Sequence, residues 1–277
     1  MIGLVKVAVV KGERGLEPVY RALDLIGYDK IFKGKSKALI KVNFITTKDW
    51  RTGATTDPIV VEAIVNRLRA IKVEPMIIES DATGTDADKA FVISGMKELC
   101  DRLNIEWRNL RHDNDRVEVN VTGGEALKSI KVPRIVVENP VVSAAKLKTH
   151  MQTQVTLGMK NMFGVLPDKF KGKFHLLGMD KVIVDVCVAV KPALIVIDGF
   201  VGMEGKGPVN GSPVKMDTII AGIDPVATDY TAARVMGFDP ERIGQIRLAK
   251  ERGLGDWEGV EIVGDGVEAV RRDFKRS

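Results

Sequence analysis

The segment KVIVDVCVAVKPALIVIDG, residues 181–199, decides the fold class of this 277-residue chain. Its first part lies within Asp180–Val190, where the apolar residues predict a helix, and Ala193–Asp198 predicts a buried strand. A strand that is apolar at nearly every position is typical of a parallel sheet with both faces covered. The segment therefore indicates an α/β protein.

The alternation of strands and helices continues in both directions from this segment. Further strands are predicted at Val5–Val10, Ala38–Val42, Pro75–Glu79, Ile105–Asn109, Ile135–Leu147, Met216–Ile223 and Val260–Val263. Further helices are predicted at Gly15–Ile26, from Asp57-Pro58 to Ile71, and at Ala87–Leu103, Thr153–Phe163, Pro225–Met236 and Pro240–Arg252. Val117–Pro133 alternates as two antiparallel strands do, around a turn at Thr122–Gly124.

We therefore expect an α/β fold with a mostly parallel or mixed sheet and helices on both faces. We treat residues 1–277 as one unit, and two lobes at about 1–125 and 126–277 are the alternative.

Composition and charge exclude several classes of protein. The 45% hydrophobic and 29% charged residues are ordinary for a soluble protein, and the net charge of +5 is too small for a surface that coats nucleic acid. The longest apolar run, Val182–Val190, is shorter than the roughly 20 residues of a membrane helix. The strand-like run Val5–Val10 occupies the position of a signal peptide, so we expect none. We expect a cytoplasmic protein without membrane contact, and its many Lys, Arg and Glu are typical of thermophilic proteins.

The two cysteines, Cys100 and Cys187, both lie in apolar helical patterns. Two thiols supply neither a disulfide framework nor the ligands of an iron–sulfur cluster. We therefore expect no intrinsic iron–sulfur cluster.

A group of three basic residues lies in SAAKLKTH, residues 143–150. Lys146 and Lys148 alternate with Leu147, so their ammonium groups share one face of an extended chain. His150 is the expected acid–base group, because imidazole ordinarily titrates near neutral pH. Ligands of parallel α/β sheets bind beyond the carboxyl ends of strands, so this block predicts an anion site. The alternative is a solvated basic strand.

The segment after this block adds further donors. Lys160 and Asn161 follow at helical spacing, and we expect both to contact the same anion. Lys169, Lys171 and Lys173 alternate with Phe and Gly, and we expect them in a mobile surface loop or lid. We expect Lys146→Ala and Lys160→Ala variants to fold normally and to lose anion binding.

Two other strand ends carry polar residues. Lys41 and Asn43 lie at the end of one predicted strand, and Lys41 reaches the same crevice as Lys146 if the two strands are neighbours. The alternative is a lysine on an edge strand. Asp81 lies in a loop whose hydroxyl and N–H groups suit an anion, and whose acids suit a metal or a ribose. A plain strand-to-helix turn is the alternative there.

The glycine-rich segment Gly199–Gly211 follows the strand that ends at Asp198, and its composition predicts a flexible loop that permits close backbone approach to a ligand. Its spacing fits neither a P-loop nor the dinucleotide-binding fingerprint. Asp198 and Glu204 are candidate metal ligands or general acid–base groups, and a divalent metal is the cofactor that they suggest.

Three aspartates, Asp57, Asp224 and Asp239, each precede a proline. An N-cap followed by proline in the first turn is a common start of a helix. Capping accounts for these residues, so we exclude Asp57 and Asp239 from the catalytic candidates.

Six motifs together resemble one known family. They are KVN at 41–43, TTDP at 55–58, KLKTH at 146–150, GMKNMFG at 158–164, IDG at 197–199 and AGIDPVATD at 221–229. This set is similar to the domain of unknown function family 362, whose relatives are often fused to ferredoxin-like cysteine clusters. The resemblance implies no particular activity, and it favours Asp229 as a site residue. Because this sequence has no such cysteine clusters, a redox role by analogy requires a separate iron–sulfur partner.

The leading hypothesis is an enzyme that binds a small phosphorylated or carboxylated substrate in a cleft lined by Lys, His and Asp. The expected substrate-binding residues are Lys41, Asn43, Asp81, Lys146, Lys148, Lys160 and Asn161. The expected catalytic residues are His150, Asp198, Glu204 and Asp229.

Two alternatives come from other functional classes. One is a nucleic-acid-binding protein that uses the basic segment 146–173, where Phe163, Phe170 and Phe174 are available for stacking. The other is a redox-associated subunit whose basic face docks a ferredoxin-like protein. The sequence leaves the substrate, the reaction and the oligomeric state open.

Overall fold

The structure, a computed structural model, describes residues 4–277, and nine strands in this range form one central sheet. The strands are β1 (Lys6–Lys11), β2 (Lys37–Lys41), β3 (Glu74–Glu79), β4 (Glu106–Asn109), β5 (Arg116–Asn120), β6 (Ser129–Pro133), β7 (Val141–His150), β8 (Gln154–Thr156), β9 (Leu194–Glu204), β10 (Ser212–Gly222) and β11 (Glu261–Gly264). The order in the sheet is β11-β1-β10-β9-β7-β2-β3-β4, and β8 pairs with the end of β7. β5 and β6 form a separate antiparallel pair, as the alternating pattern predicted.

The sheet is mixed and mostly parallel in its central part. β4, β3, β2, β7 and β9 run parallel to one another, whereas β10 is antiparallel to both β9 and β1. β11 returns parallel to β1, so strands from the first and last parts of the chain share one edge of the sheet.

Helices cover both faces of this sheet. They are α1 (Leu16–Ile26), α2 (Pro58–Ala70), α3 (Ala87–Ile93), α4 (Met96–Leu103), α5 (Arg134–Glu138), α6 (Gly158–Asn161), α7 (Gly172–His175), α8 (Met179–Ala189), α9 (Pro225–Val235) and α10 (Gly244–Glu251). Val61 and Ile64 of α2 belong to one hydrophobic core, and Val182 and Ile183 of α8 belong to the core on the opposite face. The predicted α/β fold is confirmed. No helix within residues 4–277 combines the length and the apolar character that crossing a membrane requires.

The connections of two central strands leave the sheet on opposite faces. β2 continues through α2 to β3, and β7 continues through α8 to β9. Because β2 and β7 are neighbours, their carboxyl ends form the topological switch point of the parallel part of the sheet. Connections that diverge in this way leave a crevice between them, where ligands of such sheets bind.

The first part of the glycine-rich segment Gly199–Gly211 is not the loop that its composition predicted, because β9 continues to Glu204 and pairs with β10. Residues 205–211 connect the two strands. A Cβ atom on Gly199 would lie 2.7 Å from the carbonyl oxygen of Thr218, and one on Gly202 would lie 2.9 Å from that of Leu147. These glycines therefore permit close approach of neighbouring backbone.

Two predicted helices are wrong in part. Ala87–Leu103 is divided into α3 and α4, because Gly95 between them has a φ of +83°. Thr153–Phe163 begins as β8, since the positive φ of Gln154 (+61°) turns the chain back so that β8 pairs with β7.

Two other elements also differ from the prediction. The segment Ile135–Leu147, predicted to be extended, begins within helix α5 before β7 starts. The predicted helix Pro240–Arg252 begins as a 3-10 turn, Pro240–Arg242, and continues as α10. The three aspartates before proline do cap helical turns: Asp57, Asp224 and Asp239 each accept a backbone N–H of the next turn.

Candidate functional site

A cleft of about 130 Å³ opens at the carboxyl ends of β2, β3 and β7. It therefore lies at the topological switch point, where parallel α/β sheets bind ligands. Among the described residues, one acid, Glu79, lines this cleft. The basic side chains that line it are Lys41, Lys148, His150, Lys160, Lys171 and His175.

Lys41 and Glu79 form a buried ion pair in this cleft. The Lys41 Nζ donates to Glu79 Oε2 at 2.7 Å, to the carbonyl oxygen of Val42 at 2.6 Å and to Asn161 Oδ1 at 3.2 Å. The Glu79 carboxylate also accepts the backbone N–H groups of Phe44 and Ser80. Burial lowers the pKa of Lys41, although the charge of Glu79 opposes the effect. The negative charge of Glu79 is thus already matched within the protein.

Two asparagines connect this ion pair to Lys148. The Lys148 Nζ donates to Asn43 Oδ1 at 2.7 Å and to the carbonyl oxygen of Ala54 at 2.6 Å, and Asn43 Nδ2 donates to Asn161 Oδ1 at 3.0 Å. Lys148 has no carboxylate partner among the described residues. Burial lowers the pKa of Lys148 well below 10.5, and the neighbouring positive charges of Lys146 and Lys160 lower it further.

Lys171 lies inside the cleft, which corrects its predicted place on a surface loop. Its side chain is 3% exposed, and its Nζ donates to Ser80 Oγ at 2.7 Å. Phe174, three residues later, is also buried and packs edge to face on Phe163, so this turn holds Lys171 against the protein. Burial lowers the pKa of Lys171 to about 8.

The other predicted residues of the surface loop are exposed, as expected. Lys169 and Lys173 both point into solvent, and Lys173 pairs with Asp168 at 2.6 Å. Of the three phenylalanines proposed for base stacking, Phe170 is exposed, whereas the other two are partly or fully buried.

Lys160 is the cleft lysine whose ammonium group makes no hydrogen bond or ion pair to residues 4–277. Its Nζ lies 5.8 Å from the centre of the Phe163 ring. Burial lowers the pKa of Lys160 to about 8, with a contribution from the charge of Lys171 and an opposing one from Asp180. The ammonium group is therefore available to a ligand.

His150 is held as a neutral imidazole. Its Nδ1 accepts the backbone N–H groups of Gln152 at 3.2 Å and Thr153 at 3.3 Å, which leaves the proton on Nε2. Burial and the charges of Lys160 and Lys148 lower the pKa of His150 to about 2. The sequence predicted a histidine that titrates near neutral pH, and this environment instead makes His150 a neutral hydrogen-bond donor.

Lys146 lies beneath the cleft and does not line it. Its Nζ donates to Asp198 Oδ2 at 2.7 Å, and both side chains are fully buried. Asp198 also accepts the backbone N–H groups of Asp57 at 2.8 Å and of Phe200 at 3.1 Å. The two predicted site residues thus pair with each other beneath the cleft. We therefore replace the expectation that Lys146→Ala folds normally, because the variant would leave Asp198 charged and unpaired.

The predicted acids Asp81 and Glu204 lie outside the cleft. Asp81 accepts hydrogen bonds from Arg111 and Asn109, and Glu204 accepts the backbone N–H of Lys275 at 3.1 Å. No three His, Cys, Asp or Glu side chains within residues 4–277 come together as a metal-binding group. The divalent metal suggested by the sequence stays a prediction.

Asp229 is fully buried on α9 and supports the helix that carries two cleft residues. Its carboxylate accepts the backbone N–H groups of Gly158 at 2.8 Å and Met159 at 3.0 Å, at the start of α6. Lys160 and Asn161 follow directly on this short helix. Burial raises the pKa of Asp229 to about 7, against the effect of these two hydrogen bonds.

The sequence reasoning missed three of the cleft residues. Glu79 had a usable signal, since it ends an apolar strand as Lys41 does, and parallel strands bring such ends together. Lys171 and His175 had no such signal, because their positions depend on how the segment after β8 folds over the sheet.

The family named as domain of unknown function (DUF362) matches residues 38–234. The chain belongs to this family. All of the cleft-lining residues, from Lys41 to Pro208, fall within the matched range.

The chain is also similar to a thylakoid-associated protein of Synechocystis sp. The two are 26% identical over 238 residues, which cover 82% of this chain and 71% of that protein. No solved structure matches this chain significantly.

Proposed function

We propose that this protein is an enzyme that binds a small anionic substrate in the cleft and transfers a proton to or from it. The observation that carries the proposal is the excess of basic groups, with four lysines and two histidines against the single carboxylate of Glu79. That carboxylate already pairs with Lys41. Buried charge is costly unless it is paired, and a bound anion supplies the missing partner.

Three basic groups of the cleft act in this proposal, and Lys160 both binds the anion and transfers the proton. Lys160 and Lys171 bind the anion as ammonium groups, and His150 donates its Nε2–H to the substrate. Proton transfer is assigned to Lys160, because a pKa of about 8 suits general acid–base catalysis near neutral pH. His150 is not given this task, since its imidazole stays neutral.

The position of the cleft supports the same function. Lys41, Lys148 and the segment that carries Lys160 come from separate elements that converge at the switch point of the sheet. Hydrogen bonds fix the side chains of Asn43 and Asn161, so these two cleft residues are held in place before a ligand binds.

Binding is tested by calorimetric titration of the purified protein with inorganic phosphate and with malonate. We expect at least one of these anions to bind, and Lys160→Gln to weaken its binding at least tenfold. Lys169→Gln is the matched control, because Lys169 is exposed on the same segment and does not line the cleft. Failure of both anions to bind, or full affinity in Lys160→Gln, would overturn the proposal.

Proton transfer is tested without knowledge of the complete reaction. The protein is incubated in D₂O with a panel of small phosphorylated and carboxylated compounds, and proton NMR follows the loss of C–H signals. We expect exchange in one compound with the wild type and with Lys169→Gln, and none with Lys160→Gln. Equal exchange in all three proteins would remove Lys160 from this role.

A further inference from the structure

We infer that the substrate of this cleft carries a phosphate monoester as its anionic group. The inference rests on the proposed anion-binding function and narrows its substrate class. It depends on three properties of the cleft, namely its unused hydrogen-bond donors, its unpaired charge and its apolar wall.

The unused donors exceed what one carboxylate accepts. Lys160 uses none of its three N–H groups in hydrogen bonds to residues 4–277, Lys171 uses one of three, and the Nε2–H of His150 is also free. An ionised carboxylate has about four lone-pair sites on two oxygens. A phosphoryl group presents three strong acceptor oxygens, so it can engage more of these donors at once.

The unpaired charge points to the same group. Glu79 is matched by Lys41, and Lys148 is held by two neutral oxygens and titrates far below an ordinary lysine. Lys160 and Lys171 therefore provide two positive charges without a carboxylate partner in the described part of the chain. A phosphate monoester carries a charge of about −1.5 to −2 at pH 7, whereas a single carboxylate carries −1.

The apolar wall leaves room for an organic group. Phe44, Ile45, Phe163 and Pro208 line the cleft beside the basic residues. A cleft of about 130 Å³ is small, so the organic part of the monoester consists of a few carbon atoms.

The inference is tested by competition among simple anions. Inorganic phosphate, malonate and acetate are titrated into the wild-type protein at pH 7 and constant ionic strength. We expect phosphate to bind at least tenfold more tightly than acetate, which carries one charge, and more tightly than malonate, whose two charges lie on separate groups. Lys171→Gln should remove most of this preference, because it removes one of the two unpaired charges, and Lys169→Gln should retain it.

The outcomes separate this inference from the proposed function. Malonate that binds as tightly as phosphate, with binding that depends on Lys160, overturns the phosphate inference and leaves the anion-binding function intact. Absence of binding by all three anions overturns both. A phosphate preference that persists in Lys171→Gln and in Lys160→Gln overturns the inference, since the preference then arises elsewhere.

Discussion

The carboxylate of Asp229 accepts the backbone N–H of Gly158 at 2.8 Å, and this contact joins α9 to the start of α6. Asp229 does not line the cleft, yet the helix that it supports carries Lys160 and Asn161. A Cβ on Gly158 would lie 2.9 Å from Asp229 Oδ1, so the contact also requires glycine at this position. Asp229 is thus a positioning residue of the candidate site.

Asp229→Asn is expected to weaken binding of inorganic phosphate about three- to tenfold. The amide oxygen of asparagine accepts one of the two N–H groups and leaves the other unpaired. This unpaired group makes the observed position of α6 less stable by about 1 kcal/mol. Calorimetric titration measures the change, with Asp101→Asn as the control because Asp101 is exposed on α4, away from the cleft. Equal affinity in the two variants would contradict the positioning role.

The titration of Asp229 should also make the free energy of unfolding depend on pH. The pKa of this carboxyl is raised to about 7 in the folded protein, from 3.8, so the folded state binds its proton more tightly than the unfolded state does. The contribution of Asp229 to stability is therefore present below pH 4 and is lost as pH rises towards 7. Urea unfolding at pH 4.5 and 7.5 should show Asp229→Asn gaining stability relative to wild type at the higher pH. A constant difference between the two proteins would contradict the raised pKa.

Lys146→Met is expected to lower the free energy of unfolding by about 3–5 kcal/mol, because it leaves Asp198 charged and without its partner in a fully buried position. Urea denaturation measures the loss. The double variant Lys146→Met/Asp198→Asn should recover part of it, since the unpaired charge is then absent. A double variant whose loss equals the sum of the two single losses would show that the pair is not coupled.

Gly164→Ala is expected to weaken anion binding at least tenfold. A Cβ at this position would lie 2.3 Å from Lys41 Cε and 2.4 Å from both Lys41 Nζ and Glu79 Oε1, so the ion pair must shift. Gly172→Ala is the matched control on the same segment, because a Cβ there meets no heavy atom within 4 Å. Titration with inorganic phosphate compares the two variants, and similar affinities would show that the Lys41–Glu79 pair does not support the cleft.

The affinity for the anion should fall as pH rises through about 8. Burial lowers the pKa values of Lys160 and Lys171 to about 8, so the empty cleft loses positive charge at a lower pH than an ordinary lysine would. A bound anion favours the charged lysines, and binding near pH 8 therefore takes up protons. Titrations in buffers of different ionisation enthalpy measure this uptake. No uptake at pH 8 would show that both lysines are already fully charged in the empty cleft.

Local patterns in the sequence were sufficient to predict the fold class and several helix starts. The apolar strand before Asp198 and the helix before it predicted the α/β class, because burial on both faces imposes such a pattern. The aspartates before proline predicted helix starts, because an aspartate side chain caps the backbone N–H groups of the first turn. The glycines at 199 and 202 misled the prediction, since their role depends on neighbouring strands that the local sequence does not show.

The sequence by itself determined where the basic residues cluster along the chain, but the tertiary structure decided which of them face the cleft. Lys146 and Lys148 are two residues apart, yet one is matched by Asp198 and the other borders the cleft. Lys41 and Lys171 reach that cleft from distant parts of the chain. The physical reason is that the pairing of β2 with β7, and the burial of each charge, arise from contacts between segments far apart in sequence. Charge clusters are visible in a sequence, whereas their partners appear only when the chain folds.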